Sequence, residues 1–257
     1  MIHQTAIIDK SCTLGKNVHV GPYTIITGNV KIGNNTKIHS SCFITGNTDI
    51  GSENEIHPFC SIGNKPQDLK YMNEKSFLTI GNNNSFREGC TINPGTKGGG
   101  LYTKIGDNSL FMIGVHIAHD CIIGNNTIMA NQATLAGHVV VENNAVIGGV
   151  SAIHQFCRIG ELSMIGGMSA VENDVLPFSL AIGNRAKITG LNLIGLKRAG
   201  YKKNLISDLN KTVKELFNSD SVLNHVNNIN SSENILIEKV KSFILGKTDR
   251  GLCRYEK

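Results

Sequence analysis

Residues 32–62 read IGNNTKIHSSCFITGNTDIGSENEIHPFCSI and carry isoleucine at every sixth position. Between the isoleucines lie many asparagine, glycine and serine residues, which tolerate the tight backbone of turns. A period of six matches neither the alternation of an ordinary strand nor the 3.6-residue period of a helix. It is typical of a parallel β-helix, in which each six-residue unit contributes one short strand and one turn.

The same period organises most of the first two thirds of the chain. It begins at Ile2, stops after Ile62, resumes at Ile80 and, after a shift of one residue, runs from Ile105 to Val171. Three units make one coil of 18 residues, so we expect an all-β triangular prism of coils stacked about 4.8 Å apart. A small residue four places after each aliphatic also points inward, and six of the seven cysteines hold this packing position: Cys12, Cys42, Cys60, Cys90, Cys121 and Cys157.

Two segments interrupt the period, and a third part of the chain lacks it. Residues 63–79 and 98–104 put polar residues or glycine where aliphatics belong, so we predict that they leave the prism as loops. Loops expelled from a solenoid commonly build its binding face. The period dissolves after Val171, which predicts a prism domain at 1–184 and an α-helical C-terminal domain at 185–257.

The C-terminal domain is basic. Residues 185–257 contain 14 Lys and Arg against 7 Asp and Glu, whereas the whole chain has a net charge of +5. Such a surface attracts nucleic acid, an anionic cofactor or an acidic protein, and it is equally compatible with solvated helices. Ser207 or Asp208 is a candidate cap for a helix that ends near Phe217, and a second helical pattern runs from Glu233 to Leu245.

The sequence predicts a cytoplasmic protein without stable membrane insertion. Its first residues, Met1-Ile2-His3-Gln4, do not form a basic run followed by an apolar stretch, and nowhere do about 18 apolar residues follow one another. The cysteines are odd in number and lack CxxC spacing, which argues against disulfides and zinc and fits a reducing compartment.

The 18-residue coil converts sequence spacing into proximity. His119, Gly137 and Gln155 are 18 residues apart, and His116, His138 and His154 lie beside them, so we expect all six along one edge of the prism. A histidine can act as a general base near neutral pH, and a glycine N–H can stabilise a developing oxyanion. Asp120 follows His119, but strand neighbours point to opposite faces, so their contact is left open.

Two other interpretations of this edge are compatible with stacked histidines or polar turns, and a third is not. Histidines on successive coils hold zinc in the hexapeptide-repeat carbonic anhydrases, which makes a metalloenzyme the main enzymatic rival. Polar residues at turns are often merely solvated. A scaffolding solenoid would have regular units without loops or stacked histidines, whereas this chain has both.

Several stretches carry a specific resemblance to a known family. They are HIAHDC at 116–121, LAGH at 135–138, HQFC at 154–157, NKPQDLKY at 64–71, GGG at 98–100, GLN at 190–192 and GLKR at 195–198. Together they closely resemble the UDP-N-acetylglucosamine O-acyltransferase family along almost the whole chain. The resemblance implies a left-handed parallel β-helix, an exception to the right-handed rule for parallel crossovers.

The resemblance also implies a reaction and its residues. The reaction is transfer of a β-hydroxyacyl chain from acyl carrier protein to the 3-hydroxyl of UDP-N-acetylglucosamine, the first step of lipid A biosynthesis. His119 would be the general base, Asp120 would orient it, and Gly137 would donate to the oxyanion. Gly167 lies where acyl-chain length is gauged and would admit a longer chain. The substrate-binding residues would be Asp68, Lys70, His116, His138, His154, Gln155, Asn192 and Arg198.

The implied partners follow from the same family. No metal and no diffusible cofactor are expected, because the acyl group arrives on the phosphopantetheine arm of acyl carrier protein. That carrier is acidic and would suit the basic C-terminal domain. Family members are homotrimers with active sites between subunits, and nucleic acid is not an expected partner.

Some details stay open in the sequence. They include the acyl-chain length, the choice between a 3-hydroxyl and a 3-amino acceptor, and the uridine contacts, because Asn93, Pro94 and Ile194 depart from some relatives. Relatives that N-acylate UDP-glucosamine share the fold and the donor but carry an extra N-terminal domain. The repeat here starts at Ile2, which favours O-acylation.

Overall fold

The computed structural model describes residues 1–219, 221–229 and 233–256. Within them the chain winds into a prism whose three faces are sheets of parallel strands, apart from one antiparallel strand at the end of one sheet. Successive strands of a sheet come from successive coils. Ile7 pairs with Ile25, for example, and Ile26 pairs with Ile44, so one coil is 18 residues long. The predicted triangular parallel β-helix is confirmed.

The three faces are named sheet 1, sheet 2 and sheet 3 in the order in which the chain first enters them. Sheet 1 contains β1 (Ile7–Ile8), β4 (Ile25–Ile26), β7 (Phe43–Ile44), β10 (Ser61–Ile62), β13 (Thr91–Ile92), β16 (His116–Ile117), β19 (Thr134–Leu135), β22 (Ala152–Ile153) and β25 (Ala170–Val171). Sheet 2 contains β2 (Thr13–Leu14), β5 (Asn29–Ile32), β8 (Asn47–Ile50), β11 (Phe77–Ile80), β14 (Tyr102–Ile105), β17 (Ile122–Ile123), β20 (Val140–Val141) and β23 (Arg158–Ile159). Sheet 3 contains β3 (His19–Val20), β6 (Lys37–Ile38), β9 (Glu55–Ile56), β12 (Ser85–Phe86), β15 (Leu110–Phe111), β18 (Ile128–Met129), β21 (Val146–Ile147), β24 (Met164–Ile165), β26 (Ser179–Ile182) and β27 (Lys187–Leu191).

The prism axis is filled by ladders of stacked side chains. Ile44, Ile62 and Ile92 follow one another on sheet 1 and are fully buried. Phe86 and Phe111 on sheet 3 stack with their ring centroids 4.8 Å apart. This separation equals the coil spacing, so the aromatic pair extends the ladder without disturbing it.

The cysteines belong to this packing. All seven are free thiols, and Cys12, near the N-terminal end of the prism, is the one that is only partly buried. Burial raises the pKa of Cys121 and Cys157 to about 12, so these thiols are protonated and unreactive at neutral pH. The prediction that six of the cysteines pack into the core is confirmed, with Cys12 at its margin.

The corners of the prism need an unusual backbone. At one residue of most turns φ is positive, as at Asn35 (58°) and Asn126 (56°). Asparagine and aspartate visit this left-handed region more readily than other non-glycine residues. The frequent asparagines between the aliphatic positions are therefore turn residues, as the sequence predicts.

Both predicted loops lie at the edge between sheets 1 and 2, but their bounds differ from the prediction. Strand β11 begins at Phe77, so the first loop comprises residues 63–76. Strand β14 begins at Tyr102, so the second loop comprises residues 93–101 and contains a short 3-10 turn at Lys97–Gly99. In both cases the last residues of the predicted loop already pair with the neighbouring coil, which extends the sheet.

The segment 185–257 is not helical throughout, contrary to the prediction. Its first part forms β27, which pairs antiparallel with β26. In the part of this segment that the structure describes, four helices follow: α1 (Leu193–Arg198), α2 (Lys203–Asn218), α3 (Val222–Asn228) and α4 (Ile235–Leu245). No helix within the described residues is long and apolar enough to cross a membrane.

The predicted helix borders are partly wrong. Helix α2 begins at Lys203, so Ser207 and Asp208 lie inside it and do not cap it. Its buried stripe starts at Ile206, and packing of that stripe favours the earlier start. Helix α4 begins within two residues of the prediction, after Asn234, whose side chain accepts a hydrogen bond from the Leu236 N–H.

Candidate active site

The edge between sheets 1 and 2 gathers most of the predicted site. Both loops leave the prism there, and so does the turn that contains His119 and Asp120. The next two coils add Gly137 and His138, then His154 and Gln155. The predicted stacking by 18 residues is seen directly, because the His138 N–H donates to the His119 carbonyl and the Phe156 N–H donates to the Gly137 carbonyl.

His119 and Asp120 form a close pair. His119 Nδ1 lies 2.8 Å from Asp120 Oδ2, although the two residues are adjacent in sequence. Asp120 has a φ of 59°, so it turns the corner of the prism and does not continue the strand. The corner brings both side chains to the same side, and the contact that the sequence left open is present.

The Asp120 carboxylate is fully buried and held by the second loop. Thr96 donates its N–H to Oδ1 at 2.8 Å and its hydroxyl to Oδ2 at 2.6 Å. Thr103 accepts the Asp120 N–H at 2.8 Å. Burial alone would raise the pKa of Asp120, but the hydrogen bonds from His119 and Thr96 outweigh burial and hold the pKa below its ordinary value. Asp120 is therefore an anion whose position is determined by four contacts.

Gly137 lies directly against the His119 ring. A Cβ at residue 137 would come within 2.4 Å of His119 Cε1 and 2.7 Å of Nε2. The Gly137 N–H has no acceptor among the described residues, and His119 Nε2 has no hydrogen-bond partner there. A free nitrogen on a partly buried imidazole thus lies next to a free backbone donor.

His138 and His116 lie near His119, and both have lowered pKa values, so they are neutral imidazoles at pH 7. The His138 ring meets the His119 ring edge-on at 5.1 Å and stacks on Phe156 at 4.3 Å. Burial lowers the pKa of His138, and the carboxylates of Asp120, Asp68 and Asp249 offset only part of that effect. Burial, reinforced by His119, also lowers the pKa of His116, whose Nδ1 lies 2.7 Å from the Thr91 hydroxyl.

His154 and Gln155 are exposed and continue the edge toward the C-terminus. His154 Nδ1 lies 3.3 Å from the Gln155 carbonyl oxygen. The same carbonyl accepts a hydrogen bond from Arg250 Nε at 2.7 Å, so the end of the chain folds back onto this edge. Sequence spacing does not predict that return.

The two loops are tied together beside the histidines. Glu74 of the first loop accepts the Lys97 N–H of the second at 2.9 Å. Asn93 is buried and donates from Nδ2 to the carbonyl oxygens of Asn64 and Lys65, while its Oδ1 has no partner among the described residues. Asn93, in the second loop, thus connects that loop to the start of the first loop through two hydrogen bonds.

The other predicted loop residues shape or extend the loop. The half-buried Asp68 accepts the Lys70 N–H at 2.9 Å and so shapes the first loop. The Lys70 side chain is exposed, and Pro94 is buried next to Asn93.

Two predicted residues lie at other edges of the prism, and a third lies at the end of α1. Asn192 donates from Nδ2 to the Leu162 carbonyl, at the edge between sheets 2 and 3, and its Oδ1 caps α1 by accepting the Gly195 N–H. Arg198, at the end of α1, and Ile194 are exposed. Gly167 is exposed at the third edge, between β24 and β25.

The sequence did not predict a role at the site for three residues that the structure places there. Thr96 and Glu74 lie in loops whose paths no periodicity predicts. Phe156 could have been found, because it is 18 residues after His138 and the same spacing places it on the same edge.

Models of two protein families match the chain. The hexapeptide model of bacterial transferases (six repeats) matches residues 11–46 and 102–137. The model of domain 2 of UDP-N-acetylglucosamine O-acyltransferase matches residues 174–253, which include the four helices.

Similar proteins match along essentially the full length. The acyl-[acyl-carrier-protein]--UDP-N-acetylglucosamine O-acyltransferase of Rickettsia canadensis is 46% identical, over 100% of this chain and 98% of its own. That of Aliarcobacter butzleri is 49% identical, over 98% of this chain and 97% of its own. The solved structure of UDP-N-acetylglucosamine acyltransferase from Campylobacter jejuni superimposes with a TM-score of 0.93, 41% identity and complete coverage of both chains. These matches confirm the resemblance and the left-handed β-helix, and the chain belongs to the UDP-N-acetylglucosamine O-acyltransferase family.

Proposed function

We propose that this protein transfers a β-hydroxyacyl chain from acyl carrier protein to the 3-hydroxyl of UDP-N-acetylglucosamine, the first step of lipid A biosynthesis. The names of the similar proteins support the reaction, since they are acyltransferases that use these two substrates. The observation that carries the mechanism is the pairing of His119 with Asp120 beside the free N–H of Gly137.

In the proposed mechanism His119 is the general base. Its Nδ1 is held by Asp120, which leaves Nε2 to accept the proton of the sugar 3-hydroxyl. The sugar oxygen attacks the thioester carbonyl, and the Gly137 N–H stabilises the negative charge that develops on the carbonyl oxygen. When the tetrahedral intermediate collapses, the C–S bond breaks and the departing sulfur takes the proton from His119. Atoms and charge balance without a metal or a diffusible cofactor.

The substrates are proposed to lie along the same edge. Asp68, Lys70 and His138 would bind the sugar and diphosphate from the loop and the next coil, while His116, His154 and Gln155 would border the acyl chain. The lowered pKa values of His116 and His138 suit this task, because a neutral imidazole exchanges hydrogen bonds without adding charge to the site. Arg198 would bind the nucleotide phosphate through its fixed fork of donors.

We propose a homotrimer in which two subunits complete each site. The support is geometric: within one chain Asn192 and Gly167 lie at two edges other than that of His119. Parallel prisms packed around a threefold axis would bring edges of different subunits together. The exposed Lys197, Lys202 and Lys203 around the start of α2 give the acidic carrier a docking surface.

A mixing experiment tests the shared site. His119→Ala and Arg198→Ala variants should each be strongly impaired, and random co-assembly of equal amounts should restore about a quarter of wild-type turnover. A quarter is expected because each site then draws an intact His119 from one subunit and an intact Arg198 from another. Turnover that stays at the level of the single variants, in trimers shown to be mixed, would place both residues in one subunit.

A zinc enzyme is the second candidate, because His119, Asp120 and His138 have possible ligand atoms within 4.8 Å of one another. The hydrogen bonds argue for the acid-base function. Both Asp120 oxygens already accept from Thr96, and Oδ2 also holds His119 Nδ1. A metal ion at this place would have to displace that network.

Mass spectrometry of products decides the function. The protein is incubated with UDP-N-acetylglucosamine, or with its 3-amino analogue, and a panel of hydroxyacyl carrier proteins of different chain length. An acylated sugar nucleotide identifies the acceptor atom and the chain length that Gly167 admits. Failure with every donor and acceptor, in protein shown to be folded, would overturn the proposal.

Thr96 is proposed as a positioning residue in this mechanism. Thr96→Val preserves shape but removes the hydroxyl donor to Asp120, a charge-assisted bond of the class worth about 1.5–3 kcal/mol. We expect kcat to fall about tenfold with KM nearly unchanged, because the base is misaligned while the substrate contacts remain. Thr96→Ser keeps the hydroxyl and should restore kcat. Wild-type kcat in Thr96→Val would contradict the role.

A further inference from the structure

A second group of histidines lies at another edge of the prism. His39 and His57 occupy equivalent places on successive coils, where sheet 3 turns toward sheet 1, after β6 and β9. Their rings stack with centroids 4.8 Å apart and planes inclined by 16°. The His119 edge lies between sheets 1 and 2, so the two histidine groups occupy different edges.

A carboxylate approaches the Nε2 atoms of both imidazoles. Glu55 and His57 are two residues apart on an extended segment, so their side chains point the same way. Glu55 Oε1 lies 3.0 Å from His39 Nε2, and Glu55 Oε2 lies 3.9 Å from His57 Nε2. Ligand atoms of all three side chains lie within 4.8 Å of one another.

A second carboxylate lies beside one of the rings. Glu88 Oε1 lies 3.7 Å from His57 Nδ1, on the side of the ring away from Glu55. Carboxylates on the outer nitrogen of a metal-binding histidine commonly set its tautomer and its direction. Arg87, the nearby cation, forms a bidentate ion pair with the same Glu88 through two contacts of 3.0 Å.

We propose that His39, Glu55 and His57 form a binding site for a divalent transition-metal ion of the Zn²⁺ type. Two imidazole nitrogens and one carboxylate are a common donor set for zinc, with metal–ligand distances of about 2.0–2.2 Å. Ligand atoms at those distances in a tetrahedron are about 3.3 Å apart. Each Glu55 oxygen faces one imidazole at a separation near this value, Oε1 at 3.0 Å from His39 Nε2 and Oε2 at 3.9 Å from His57 Nε2. The side chains of His39 and Glu55 are 41% and 44% exposed and that of His57 is 20% exposed, so water can reach the fourth position.

Such an ion would clamp two coils together. His39 belongs to one coil and Glu55 and His57 to the next, so one ion bridges the stack near its N-terminal end. This end of the prism is the less covered one: Ile2 is 52% exposed. An ion that binds only the folded chain stabilises it by mass action. The proposed acyl transfer does not use this site.

Metal titration of the full chain, prepared without a histidine tag and stripped of metal, tests the proposal. We expect saturable binding of about one Zn²⁺ per chain and a higher melting temperature with Zn²⁺. Glu55→Gln and His57→Gln should each weaken binding at least about tenfold, and Glu88→Gln about tenfold through loss of ring orientation. Co²⁺ as a probe should show the absorption of a four- or five-coordinate ion.

A matched control separates the two histidine groups. His119→Ala should bind Zn²⁺ as the wild type does, whereas binding lost in His119→Ala and kept in Glu55→Gln would overturn the proposal. Absence of saturable binding to the wild type, with melting unchanged by Zn²⁺, would also overturn it. Acyl transfer by metal-stripped protein should stay within about twofold of the untreated rate, and this readout is separate from the binding result.

Discussion

His119→Ala should lower acyl transfer at least about a hundredfold while leaving the fold intact, because loss of a general base typically costs a factor of 10²–10⁴. The side chain is only 14% exposed but lies at the open edge of the prism, and the ladder of buried aliphatics does not depend on it. The measurement is steady-state turnover with the carrier-bound donor, accompanied by thermal melting.

The control for this variant is another histidine. His19→Ala removes an exposed imidazole from β3, far along the chain from the site, and should leave turnover unchanged. Near-normal turnover in His119→Ala would refute the assignment of the base. Loss of turnover together with a melting temperature well below that of the wild type would show that the effect is structural.

Gly137→Ala should have an effect of similar size for a different reason. The new methyl group would come within 2.4 Å of the His119 ring, which the Asp120 pairing holds in place, so the ring must turn away from its position. The backbone N–H is retained, and a loss can therefore be assigned to displacement of the base. We expect kcat to fall about a hundredfold, since misplacement of a catalytic group by about 1 Å costs that much.

Gly98→Ala is the matched control for Gly137→Ala. A Cβ at residue 98 meets only the Thr96 hydroxyl, at 3.9 Å, and the residue lies in the exposed part of the second loop. Its turnover should stay within about twofold of the wild type. Equal turnover in Gly137→Ala and the wild type would show that catalysis does not require the absence of a side chain at residue 137 beside the His119 ring.

The sequence predicts the prism because each coil of the core packs only against the coils before and after it. Ile44 pairs only with its equivalents one coil away, so a period of six and a coil of 18 determine register without knowledge of distant contacts. The same arithmetic placed Gly137 beside His119. It applies wherever the repeat is unbroken, and it fails at the loops, whose outlying residues have no equivalent in the next coil.

The C-terminal segment was harder to predict for a related reason. Helix α2 starts a turn earlier than its candidate caps, because burial of Ile206 and Leu209 against the other helices outweighs the local preference of Ser207. Strand β27 was missed, because a strand that pairs antiparallel with β26 carries no six-residue signal. In both places contacts between elements decided the local structure.

The sequence by itself determined the fold, the stacked histidines and the family of this protein, since each follows from spacing or from local motifs. The tertiary structure alone decided how the base is held. The left-handed corner at Asp120 turns its carboxylate toward His119, and the second loop brings Thr96 to the same carboxylate from 24 residues away. The tertiary structure also separated Asn192 and Gly167 from that edge. Periodicity specifies which residues stack, whereas the direction of a side chain at a corner depends on the backbone angle and on the contacts there.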